Sequence, residues 1–235
     1  MGTEVSRSDS AGDLEGSVGS MDAPTLPDIP EEVLGGDASV VPALRLRDWI
    51  ERTFIDEGGV LHNPDHEHLQ HARIGALWVG VEWQKKGKRI AGEARLGTPQ
   101  GSNAWMKARQ RQQLRRWFGE DFEGQLPDFV ITVDAGYVQE RLEENDPFAV
   151  CALVEHELYH CAQDTGSEGF PAFDRDTGRP RWTITPHDLE EFTGVAERYG
   201  AATDELQRMQ GALRRGPTIE SADVEAACAC GASVA

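Results

Sequence analysis

The sequence predicts an α+β domain in which a small sheet packs on one helix of distinctive chemistry. Two observations lead there. Segments with helical apolar spacing alternate with short apolar strands, and the most apolar helical segment carries two histidines and a glutamate at one-turn spacing. At 235 residues, with 39 % hydrophobic and 27 % charged positions, the chain has room for one domain plus tails. No apolar run approaches the roughly 18 residues of a membrane span, so no membrane partner is expected. The four cysteines, with no basic-then-apolar leader in view, suggest reduced thiols and a cytoplasmic location. A net charge of −18 argues against nucleic-acid binding by the chain as a whole.

Residues 1–40 hold nine acidic residues and one basic, Arg7, among Gly, Ser and Pro. So little apolar surface cannot offset an ordering cost of about 1–2 kcal/mol per residue, and a disordered acidic tail is predicted there. The folded domain is expected over 41–215, followed by a flexible tail over 216–235. Within the domain, Leu46, Trp49, Ile50 and Phe54 recur at helical spacing before the Gly58-Gly59 break. A short helix is expected after Pro64. Ile74–Trp83 and Arg89–Leu96 read as a strand pair joined at Lys85–Lys88, with Gly87 in the turn. A helix follows over Ser102–Phe118. Phe129–Val133, almost wholly apolar, reads as an interior strand, and Tyr137–Leu142 as a helix.

Asp146-Pro147 starts the informative helix, since Asp can cap it and Pro suits its first position. Cys151, Val154, Leu158 and Cys161 form its apolar stripe, and Asp164-Thr165-Gly166 is expected to end it. Inside lies His156-Glu157-Leu158-Tyr159-His160. Four residues turn a helix by 400°, so His156 and His160 project from nearly one face, about 5.4 Å apart along the axis. Two imidazoles so placed can close on one tetrahedral Zn²⁺. Glu157, 100° round from His156, is placed to take a proton from water without itself binding the metal.

Such a site needs a third protein ligand. His187 is the candidate, in Thr185-Pro186-His187-Asp188, which reads as a capped helix start. Glu191, one turn later, is its rival. Asp188 and Asp164 are candidates to orient the imidazoles. Phe170–Ile184 reads as a hairpin turning at Asp176-Thr177-Gly178, with Pro180 on an edge strand.

His156-Glu-Leu-Tyr-His-Cys161, the Gly/Asp-rich hairpin, His187-Asp-Leu-Glu-Glu-Phe192 and Arg198-Tyr-Gly200 together resemble the putative phage metallopeptidase family. The resemblance runs from about Pro64 to Gly200. It implies a zincin-like α+β fold, zinc-dependent hydrolysis of peptide bonds in a protein or peptide substrate, and phage or prophage origin. More distantly the chain is similar to SprT-type zincins, in which a later histidine supplies the third ligand. There that histidine precedes glycine, whereas His187 precedes Asp188.

Residues 84–116 hold ten basic residues and one acidic, with Trp105 and Trp117 interleaved. This segment is a candidate DNA contact, and a zinc-stabilised DNA-binding module without catalysis is the alternative to a peptidase. A solvated basic face is the simpler reading. His62, His66, His68 and His71 lack the spacing of a ligand pair on one helix face. Cys151 and Cys161 read as packing residues.

Overall fold

The computed structural model describes residues 23–85, 87–166, 169–189, 196, 198, 200–201, 203–219 and 227–228. Helix α1 (Glu31–Leu34) and strand β1 (Val40–Pro42) both begin within the span expected to be tail, and Val33 is fully buried. Leu26 and Ile29 also pack against the core. Those few apolar side chains seat an otherwise acidic segment, which averaged composition conceals. Residues 1–22 lie outside the described residues.

Helix α2 (Leu44–Ile50) runs into a π-helical turn, Glu51–Ile55, which keeps Phe54 and Ile55 buried. A 3-10 run follows over Pro64–His71, with Asn63 as its cap accepting from the Asp65 N–H. The main sheet contains β1, β2 (Ile74–Val79), β5 (Phe129–Asp134), β4 (Lys88–Leu96) and β3 (Gln84–Lys85), in that order. β5 is central: it pairs parallel with β2, Ile74 opposite Phe129, and antiparallel with β4, Gly92 opposite Val133. The predicted strand pair is therefore split. β2 ends just before Gly80, where a Cβ would meet the Val33 carbonyl at 2.4 Å, a close approach that glycine allows. β3 and β4 form the hairpin instead, with Gly87 in its turn at φ +76. β8 (Ala227–Cys228), in the expected C-terminal tail, pairs parallel with β4.

The strands' period of two divides the core. Ile74, Ala76 and Trp78 with Ile131 and Val133 face α2, α4 (Ala135–Glu143) and α5 (Pro147–His160). Leu77 and Val130 face Leu114 and Phe118 of α3 (Ala104–Phe118) on the opposite side. Gly75 lies under the Phe118 ring, which a Cβ would meet at 2.9 Å. A two-stranded sheet, β6 (Cys161–Gln163) with β7 (Trp182–Ile184), and helix α6 (Asp204–Arg215) complete the described elements. Among the described residues no helix is long and apolar enough to cross a membrane.

Candidate metal centre

α5 starts as its sequence requires, with the Asp146 carboxylate accepting from the Ala149 N–H and Pro147 in the first turn. It stops at His160 rather than running on to Asp164. Cys161 turns extended (φ −85, ψ 103) and opens β6, so the chain bends into a strand directly after the second histidine. The reason lies across the small sheet, where the Thr185 N–H donates to the His160 carbonyl at 2.9 Å. Cys151, Val154, Leu158 and Cys161 are all buried, as the stripe requires. Burial pushes the Cys151 thiol up to about 12 and Cys161 higher still, which suits packing and not nucleophilic chemistry.

His156 and His160 project together, with their Nε2 atoms 3.2 Å apart. His187 Nε2 comes within 3.1 Å of His156 Nε2. All three residues offer ligand atoms within 4.8 Å of one another. His187 reaches them from an irregular segment just after β7 and not from a helical turn. Thr185, expected to cap that turn, is occupied through its backbone: besides its N–H bond, its carbonyl faces His160 Nδ1 at 2.6 Å. A carbonyl only accepts, so the proton sits on His160 Nδ1 and the Nε2 lone pair is directed at the other two rings.

The donor set fits a tetrahedral ion. Zn–N bonds of about 2.0–2.1 Å at tetrahedral angles separate two nitrogens by roughly 3.3 Å, close to both spacings seen here. Desolvation, and then the repulsion between protonated rings, lowers His156 to about 4. Desolvation lowers His160 as well, with the Thr185 carbonyl opposing it. Both imidazoles are thus neutral, and able to bind a metal, at pH 7.

Glu157 leaves α5 toward β4 and is fully buried. The backbone of Ala94 hydrogen-bonds to its carboxylate, and a Cβ on Gly92 would meet its Oε1 at 2.7 Å. Desolvation drives its pKa up to about 8, against the Ala94 bond and with help from nearby Glu93. The glycine at 92 is what leaves room for a carboxylate between helix and sheet.

The other candidates fall elsewhere. Asp164 pairs with Arg181 at 2.8 Å, while Asp188 lines the cavity beside the triad. Glu191 lies outside the described residues. His68 bonds the Cys161 carbonyl at 2.8 Å and His66 packs on Tyr159, so these two of the four histidines brace the end of α5. Of the basic segment, Arg89 is engaged by Asp134 and Glu140, and α3 lies across the sheet from the triad. Lys86 is outside the described residues, and nothing in the placement of the others supports contact with DNA. The roles of Gly92, Thr185 and Tyr159 went unread in the sequence, because a missing Cβ, a backbone carbonyl and a ring edge have no spacing rule to betray them.

No curated protein and no solved structure matches this chain. A family model does, over residues 47–214, which include His156, Glu157, His160 and His187. Through that match the chain belongs to the family described as putative phage metallopeptidase.

Proposed function

We propose that this chain is a zinc-dependent metallopeptidase of zincin-like architecture, encoded by a phage or prophage and acting on proteins in the cytoplasm. His156, His160 and His187 hold Zn²⁺, and Glu157 is the general base. The observation that carries this reading is the convergence of the three histidines within 4.8 Å, with the two spacings from His156 close to those around one tetrahedral ion. Zn²⁺ bound there supplies Lewis-acid polarisation of the substrate carbonyl and acidifies coordinated water toward a pKa of about 7. Glu157 takes a proton from the attacking water on its carboxylate, which Ala94 orients, and delivers it to the leaving amine. Desolvation raises the carboxyl to about 8 in the metal-free protein, so the positive charge of bound Zn²⁺ would have to lower it before it could accept a proton at pH 7. The Thr185 carbonyl keeps His160 in the tautomer that presents Nε2.

Stripping metal with a chelator should abolish cleavage of an unfolded protein substrate, and adding back stoichiometric zinc should restore it. Cleavage that survives complete metal removal would overturn the reading. A second expectation concerns Gly92. A methyl group there must displace Glu157 Oε1, 2.7 Å away, and crowd the Leu153 side chain at 3.1 Å. Gly92→Ala should cost about 1–3 kcal/mol in denaturant unfolding. It should also lower kcat while zinc content stays that of the native protein. An unchanged kcat would mean that the carboxylate works from some other position.

A further inference from the structure

Tyr159 stands between Leu158 and His160 on α5 and is 50 % exposed. Its hydroxyl is nevertheless held at two points: it accepts from Asn63 Nδ2 at 2.9 Å and donates to Asp65 Oδ2 at 3.0 Å. Asn63 is itself fixed, since its amide also donates to Glu155 Oε1 at 2.8 Å and its oxygen caps the 3-10 run. The His66 ring meets the tyrosine ring edge-on, 4.7 Å between centroids. A surface tyrosine ordinarily rests its ring on the protein and turns its hydroxyl to water. Here the polar tip is tied down and half of the residue's surface stays open.

Tyr159 lines a cavity of about 480 Å³ together with the three histidines. Pro186, Leu189 and Met209 supply further apolar lining, and Asp188 a carboxylate. The hydroxyl is engaged by Asn63 and Asp65, neither of which lines the cavity, so the ring is the part of Tyr159 left for a ligand. This volume lies within the range of small-ligand pockets, and its composition is apolar walls around a few convergent polar groups.

We infer that Tyr159 is a specificity-determining residue of this site, its anchored ring selecting peptides with an apolar side chain, aromatic or large aliphatic, next to the cleaved bond. The inference rests on the peptidase reading above and adds a substrate class to it. A ring held in advance loses no rotamer freedom when a side chain packs on it. Asp188 in the same lining works against an acidic side chain. Because the hydroxyl is committed to Asn63 and Asp65, it is not the group that stabilises charge on the substrate.

The test uses the zinc-loaded protein and one unstructured peptide varied at a single position among Phe, Leu, Gly and Glu beside its cleavage site. The native protein should favour Phe and Leu over Gly by about 30-fold in kcat/KM, with Glu the poorest. Tyr159→Phe, which keeps the ring but loses its tether, should keep the same order of preference at reduced magnitude. Tyr159→Ser should compress it to within about 3-fold, chiefly through KM. Met209→Ser, on α6 and part of the same lining, should weaken it without touching the latch. Binding of the same peptides to the Glu157→Gln protein, followed by fluorescence anisotropy, should give the same order. An unchanged preference in Tyr159→Ser, or an equal fall in kcat on every peptide in Tyr159→Phe, would overturn the inference. If no peptide is cleaved at all, the peptidase reading fails. The binding order then decides for the ring if Tyr159→Ser abolishes an apolar preference, and against it if no such preference exists.

Discussion

Replacing Glu157 by glutamine should lower peptide hydrolysis by a factor of about 10²–10⁴ while leaving zinc content unchanged. Glutamine has nearly the same shape, and its amide oxygen can still accept the Ala94 hydrogen bond seen for the carboxylate. What it cannot do is take a proton. The same variant carries a second signature in the metal-free protein. Burial raises the folded carboxyl from 4.5 to about 8, so between those values the unfolded chain has released a proton that the folded chain keeps. Stability contributed by this group therefore falls as pH rises across that window and levels off above it. His66 and His156, both lowered to about 4 mainly by desolvation, tilt stability the other way between about 4 and their ordinary 6.5. Thermal unfolding of the metal-free protein should thus decline from about pH 6.5 to 8 in the native chain and lose that decline in Glu157→Gln. Superimposable pH profiles would show that the carboxyl is not held protonated in the fold, and full activity in the variant would remove it from the proton transfer.

Local signals in the sequence carried the helices and the placing of His156 and His160 on one helix face. Asp146-Pro147 caps where short-range chemistry says it should, and the 400° between His156 and His160 needs only helical geometry. β5 was legible because a strand buried on both faces loses its polar alternation. Pairing was not. That β5 lies between β2 and β4 depends on pairings between positions far apart in the chain, such as Ile74 with Phe129 and Gly92 with Val133. The structure brings His187 beside the other two rings, but not from the helix start its sequence suggests. The sequence of Thr185-Pro186-His187-Asp188 satisfies a helix start, yet the Thr185 backbone is taken up by His160 on both its N–H and its carbonyl. Long-range backbone pairing overrode a local propensity worth about 1 kcal/mol. The contacts of His66 and His68 were hidden for the same reason: their partners, Tyr159 and Cys161, are some ninety residues away.

The histidines themselves provide the second large effect. His187→Ala should weaken zinc binding by more than about 100-fold, because loss of an outer partner of a zinc-bound histidine alone costs 10–100-fold. His187 is the informative member. It sits in an irregular segment with only part of its surface covered, so alanine removes a donor without hollowing the core, whereas His160 is buried and tied to Thr185. The loss can be read without any substrate. Zinc at a thousand times its dissociation constant stabilises the fold by about 4 kcal/mol, and a hundredfold weaker site at the same zinc concentration retains only about 1.4 kcal/mol. The zinc-induced rise in Tm should shrink accordingly in His187→Ala and in His156→Ala, with hydrolysis falling to background in both. Glu191→Ala should keep the native rise. Were Glu191→Ala to lose it while His187→Ala kept it, the third ligand would be the carboxylate. The close approach of His187 to His156 would then be packing around a site whose donors are two imidazoles and an acid.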